Sequence, residues 1–214
     1  MTSTGIGPPK RDTYRHGDLR RALLEAGTEL ARGGGSDAVV LREATRRAGV
    51  APSAAYRHFA DRRALLDAVC SAAQAALAIA MEEELDGLPN GGDPAEAARA
   101  RLRAVGTGYL RFAQAEPGLF RTAFSASDNL RSAASPSRAG EGGLTPFQLL
   151  SAALDGLVEA GVLPPERRLG AEFLAWSAVH GLAMLLIDGP LRGLDHAQTQ
   201  DIGRHLIDMV ERGL

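Results

Sequence analysis

Side chains that could do chemistry are sparse in this chain and gather in one stretch. Residues 41–59 read LREATRRAGVAPSAAYRHF. Within that run Arg42, Thr45, Ser53, Tyr56, Arg57 and His58 can all donate hydrogen bonds. Such groups suit phosphate oxygens and the edges of bases. Elsewhere the reactive types are dispersed. The five histidines stand at 16, 58, 180, 196 and 205, with no HExxH and no i,i+4 pair. Glu82, Glu83 and Glu84 are consecutive, so they fan around a helix instead of converging on a metal. GxSxG, P-loop and GxGxxG patterns are absent. The one cysteine, Cys70, excludes an internal disulfide, a CxxC pair and a Cys-based zinc site. These features speak against an enzyme, and no metal or cofactor is expected.

The elements that must hold the donors read as two short helices, Leu41 to Ala48 and Pro52 to Phe59, around a turn. That is the spacing of a helix-turn-helix: one helix crosses a DNA backbone and the second lies in the major groove. Gly49 lets the chain turn sharply. Leu41, Ala44, Ala48, Val50, Ala55 and Phe59 are the expected buried contacts, with small alanines allowing close approach. On the second helix Pro52, Ser53, Ala54 and Arg57 would face bases. Arg57 is the only long donor among them, and Arg to guanine is the commonest specific contact. The net charge of −2 hides an asymmetry. Residues 1–63 hold 12 of the 24 Lys/Arg and 7 of the 26 Asp/Glu, leaving an excess of base there and of acid beyond. A basic front suits a polyanion.

The remaining pattern is helical throughout. Residues 1–15, with Lys10, Arg11 and Arg15, read as a flexible basic arm. A helix follows from Asp18, a candidate cap, with Leu19, Leu23, Ala26 and Leu30 on one face and Gly33 to Gly35 ending it. Asp61 reads as the cap of a long helix to about Asp86, and Pro94 starts another to about Ala115. Leu119 to Phe124 is a short helical piece. Residues 125–143 read as a mobile loop. Pro146 to Ala160, Glu166 to Ile187, and Asp195 or His196 to Arg212 complete the set. No alternating strand run occurs, so the fold class is all-α with about nine helices. The 214 residues suffice for a real core. No strictly apolar run, Leu182 to Ile187 included, approaches the roughly 18 residues a membrane span needs. Residues 1–17 lack the apolar core of a secretory signal. The expected compartment is therefore cytoplasmic, with no membrane partner.

From about His16 to Cys70 the chain resembles the DNA-binding domain of TetR-type transcriptional regulators. The resemblance rests on LREATRRAGV, PSAAYRHF and DRRALLDAV. It implies that Tyr56 and His58 contact phosphates. It also implies that Arg62, following the Asp61 cap, shares a phosphate with the helix N-terminus, and that Arg42 and Thr45 point toward the groove edge. Arg46 and Arg47 read as a solvated or backbone-facing pair. Three positions depart from the family. Val40 stands where a capping Ser or Thr is usual, at a typical cost of ~1 kcal/mol, with Ser36 or Asp37 as possible substitutes. Ala51 replaces a common Ser, and Pro52 replaces a polar reader, so specificity would lean on Arg57, Arg42 and DNA shape.

Residues 110–124 (LRFAQAEPGLFRTAF) and 176–181 (WSAVHG) resemble the C-terminal domain of a TetR subgroup defined by its Trp/His/Gly motif. The implied organisation is an arm over 1–15, a DNA-binding domain over 16–62 and a regulatory, dimerising domain over 63–214. Tyr109, Phe112, Phe120, Phe124, Phe147 and Trp176, with His180 one turn further on, could line an apolar ligand pocket. The apolar helix carrying Ala175, Ala178, Gly181 and Ala183 would pair with Ile202, Leu206, Ile207, Met209 and Val210 of the last helix in a four-helix homodimer interface. The reading is a homodimeric regulator of a palindromic operator, a repressor released by a small apolar effector. A ligand-independent regulator that only dimerises is the alternative. A closed cavity beside Phe112 and Trp176 would separate the two. The sign of regulation, repression or activation, depends on where the operator lies.

Overall fold

A computed structural model of the protein describes residues 16–125 and 132–214. The expected basic arm, with Lys10, Arg11 and Arg15, lies outside the described residues, as does 126–131 of the expected loop. The described residues form ten α-helices and two 3-10 turns, with no strand among them. In chain order the helices are α1 (His16–Ala38), α2 (Leu41–Arg47), α3 (Pro52–Ala55), α4 (Arg62–Asp86), α5 (Pro94–Ala115), α6 (Pro117–Ala123), α7 (Pro146–Glu159), α8 (Pro165–Arg168), α9 (Ala171–Ile187) and α10 (His196–Gly213).

Local chemistry accounts for most of the boundaries. The Asp61 carboxylate accepts the Ala64 N–H at 2.8 Å and caps α4. Asp93 does the same for α5. Thr145 with Gln148, and Asp195 with Gln198, form reciprocal capping boxes on α7 and α10. Each satisfies backbone donors that a bare helix end would leave open.

Three expectations need correction. The first helix begins at His16, which puts Asp18 inside its first turn, and it passes through Gly33 and Gly34. Only Gly35, at φ 68°, leaves helical geometry, so one left-handed residue sets the kink. The span Glu166 to Ile187 is two helices, because Gly170 at φ 81° reverses the chain between α8 and α9. Residues 132–143, read as loop, contain short helical turns. Two 3-10 turns, Ser132–Ala134 and Pro136–Arg138, lead into a glycine turn. There the Glu141 and Gly142 N–H groups donate to the Glu82 carboxylate of α4 at 2.9 and 3.1 Å. A long-range carboxylate supplies what the local sequence lacks.

The core centres on α4, which packs against α1, α5, α6 and α7. Its residues Leu65, Val69, Ala73, Leu77 and Met81, spaced by four, are all buried. Each large one contributes about 1.5–3 kcal/mol relative to exposure. By length and composition α4 could cross a membrane, but this buried stripe makes it the central helix of the bundle. Close crossings need glycine. A Cβ at Gly108 of α5 would stand 2.6 Å from Met81 Cα. At Gly118 of α6 it would run into the Ala31 and Arg32 carbonyls of α1.

Candidate nucleic-acid interface and apolar cavity

α2 and α3 form a compact pair. Leu41, Ala44, Ala55 and Phe59 are buried, and Ala48 and Val50 are half-buried against them. Gly49, at φ 68°, makes the turn, and the Val50 N–H closes it on the Thr45 carbonyl at 3.1 Å. The second helix is shorter than its sequence suggests. Regular α-helix covers only Pro52–Ala55. The chain then tightens, the His58 and Phe59 N–H groups both reaching the Ala55 carbonyl at 2.9 Å. Mixed three- and four-residue bonding is usual where a helix ends. Neither Val40 nor Ala51 caps through its side chain.

The exposed face of this pair carries Arg42, Pro52, Ser53, Tyr56 and Arg57, with Ala54 and His58 half-buried. Tyr56 is 59% exposed, which is high for an aromatic ring. Thr45 does not join them. It is 2% exposed, and its hydroxyl donates to the Arg42 carbonyl at 2.6 Å, so it holds the helix instead of facing a groove. Arg62 is engaged too: its guanidinium donates to the Val39 and Ser36 carbonyls, both at 2.8 Å. It ties the kink after α1 to the start of α4.

Two contacts went unread in the sequence. The Arg20 guanidinium lies over the Phe59 ring at 5.2 Å, anchoring the end of the recognition segment to α1. Glu43 accepts from Arg46 at 2.7 and 2.8 Å and from Arg47 at 3.3 Å. Hydrogen bonding by Arg46 holds its carboxyl at about 2. The i+3 and i+4 spacing was the available signal.

A cavity of about 430 Å³ lies between α4, α5, α7, α9, α10 and the 132–146 segment. Of the expected ligand-lining residues, Tyr109, Phe124, Phe147, Trp176 and His180 meet there. Phe112 and Phe120 do not. Phe120 is fully buried behind the wall, edge-on to Tyr109 at 5.3 Å and to Phe124 at 5.2 Å. Phe112 sits on another face of α5, buried in the core. Gln74, Leu102, Val105, Arg138 and Ser177 complete the wall beyond expectation. Ile207 and Val210 also line it, and Ile207 is buried there.

The polar groups of the cavity form a chain. Trp176 Nε1–H donates to the Tyr109 hydroxyl at 3.1 Å, and that hydroxyl lies 2.8 Å from His180 Nδ1. Burial pushes the Tyr109 hydroxyl far above its ordinary range and pulls His180 below its own. Gln74 spends its amide on the Ala123 carbonyl at 2.7 Å. No cluster that could hold a metal occurs among the described residues.

Outside the cavity, α9 exposes Leu174 (68%) and Leu185 (44%), and α10 exposes Met209 (59%). Ala178 and Gly181 lie between the two leucines at helical spacing.

Comparison with known proteins agrees with this arrangement. A family described as "Tetracyclin repressor-like, C-terminal domain" matches residues 102–210. A second, "Bacterial regulatory proteins, tetR family", matches residues 23–69. No curated protein matches the chain in sequence. Among solved structures, a protein with unknown function from Rhodococcus sp. RHA1 is similar, at 28% identity and TM-score 0.73, over 95% of this chain and 99% of that one. The TetR family transcriptional regulator PfmR from Thermus thermophilus shares the fold, at 24% identity and TM-score 0.56, over 90% of this chain and 98% of its own. A TetR transcriptional regulator from Rhodococcus sp. RHA1 does so at 20% identity and TM-score 0.55, over 92% and 97%.

Proposed function

Because the chain belongs to the TetR family of bacterial transcriptional regulators, we propose that it represses transcription as a homodimer on a palindromic operator and is released by a small apolar molecule. It is a DNA-binding regulator, not an enzyme. In this reading residues 16–62 are the DNA-binding head and 63–214 the regulatory part, and the protein works in the cytoplasm. Tyr56 and His58 hold phosphates, Arg42 reaches the groove edge, and Arg57 reads a base beside Pro52, Ser53 and Ala54. Thr45 and Arg62 position the head, each through a backbone carbonyl already bonded.

One observation carries the ligand half of the reading: α4 belongs to both ends. At its N-terminus, Arg62 fastens the turn that precedes the helix-turn-helix. Further along the same helix, Gln74 and Met81 stand in the cavity wall. A molecule that reshapes the wall therefore acts on a rigid rod ending at the recognition head. Two half-sites one turn apart demand heads ~34–36 Å apart, so a small tilt of that rod suffices. A ligand preferring the released state ~100-fold would shift the balance by about 2.7 kcal/mol.

The test is selection of genomic fragments by the purified protein near physiological salt, repeated at several salt concentrations. The expected outcome is a shared palindrome with half-sites about one turn apart. Motif-free binding that vanishes with salt would refute the operator reading.

A further inference from the structure

The bonded pair of Tyr109 and His180 leaves one hydrogen-bond position open on the cavity wall. An indole N–H can only donate, so the Tyr109 oxygen accepts from Trp176 at 3.1 Å. The hydroxyl hydrogen then needs an acceptor of its own. Tyr109 is 4% exposed, and among the described residues the group in reach is His180 Nδ1, at 2.8 Å. The opposite polarity, with Nδ1–H donating to the hydroxyl, would leave the phenol hydrogen without a protein acceptor, and buried donors are rarely left unmade. His180 Nδ1 is therefore a lone pair and the ring proton sits on Nε2. Burial, which favours the neutral imidazole, acts in the same direction.

We infer that the cavity takes a neutral, mainly apolar molecule carrying one carbonyl oxygen (a ketone, ester or lactone), which accepts a hydrogen bond from His180 Nε2–H. This rests on the reading of the cavity as the effector site. Of the other polar side chains of the wall, Ser177 is exposed. Gln74 holds the Ala123 carbonyl, and Arg138 is engaged within the protein. Leu102, Val105, Phe147 and Val179 supply the apolar wall. One carbonyl acceptor matches the His180 donor. A carboxylate would be stripped of water against those walls, a far larger cost than for a neutral carbonyl.

Trp176 is the sole tryptophan of the chain and lines the cavity, so its fluorescence reports occupancy directly. The full chain is titrated with three molecules of one shape: 5-phenylpentan-2-one, pentylbenzene, which replaces the carbonyl by a methylene, and 4-phenylbutanoate, which replaces the methyl ketone by a carboxylate. The ketone should bind about tenfold tighter than either. His180→Phe should erase that preference while keeping hydrocarbon binding, which also shows that the variant is folded. Equal affinity for ketone and hydrocarbon overturns the inference. So does tightest binding of the carboxylate, or a ketone preference that survives His180→Phe, or no saturable response to any of the three. Operator release is measured separately. Tight ketone binding without release would leave the ligand class standing and refute the regulatory reading.

Discussion

At the scale of residues, the recognition face divides into groups that hold the backbone and groups that distinguish bases. Tyr56 is a phenol standing in solvent, suited to a phosphate oxygen. Tyr56→Phe should therefore weaken binding to every sequence about equally. Arg57 is the long donor of the recognition segment, so Arg57→Ala should relax preference at one base position by about 1–3 kcal/mol. Competition between the selected operator and its single-base variants separates the two patterns, and a uniform loss for Arg57→Ala would remove it from base reading. Glu43 acts in the opposite sense. It holds Arg46 and Arg47, and its carboxyl, lowered to about 2 by Arg46, stays charged above roughly pH 3. The depressed value means this pairing weakens only as pH falls toward 2, far below any DNA-binding condition. Glu43→Gln should free both guanidiniums, raise affinity for non-specific DNA and steepen its salt dependence. An unchanged salt slope would mean that neither arginine faces the phosphates.

At the scale of elements, caps and breakers were legible because they act within four residues. Asp61, Pro94 and Pro146 each mark a helix start that local chemistry dictates. The misread boundaries depend on longer range. Of three consecutive glycines only Gly35 turns left-handed, directly before the Ser36 carbonyl that Arg62 holds from 26 residues away. Segment 132–143 looked featureless because its anchor, Glu82, lies some 59 residues away. The cavity was half legible. Its aromatic stock could be named, but whether Phe112 or Phe147 faces inward depends on helix phase and crossing, which composition does not carry. Close crossings can be tested directly. Gly118→Ala would push α6 off the α1 carbonyls, and overpacking of this kind costs about 1–3 kcal/mol. A fall in Tm of roughly 2–10 °C is expected. Gly156 of α7, by contrast, faces open space, and Gly156→Ala should be neutral or stabilising by up to about 1 kcal/mol. Thermal unfolding of both variants checks the pair, and equal shifts would show that the α1–α6 contact is not tight in solution.

At the scale of the whole molecule, the unfinished surface is the outer face of α9 and α10. Leu174, Ala178, Gly181 and Leu185 follow one another at steps of three and four, and the two leucines are 68% and 44% exposed. Met209 adds to the same kind of surface from α10. Small residues between large ones let a second helix approach closely, and a self-complementary patch on a single chain is closed most simply by a two-fold axis. Leu174→Glu together with Leu185→Glu would bury like charges against each other across such an axis, whereas in one isolated chain both side chains already face water. The double variant should sediment as a monomer where the parent is a dimer. Its helix content and Trp176 emission should be unchanged, because the cavity lies on the other side of α9. Each head would still carry Tyr56 and Arg57, so binding to an isolated half-site should survive while the advantage of the full palindrome disappears. A variant that remains dimeric would place the interface elsewhere on the molecule. One that is monomeric yet still prefers the palindrome would show that DNA alone can bring the two heads into register.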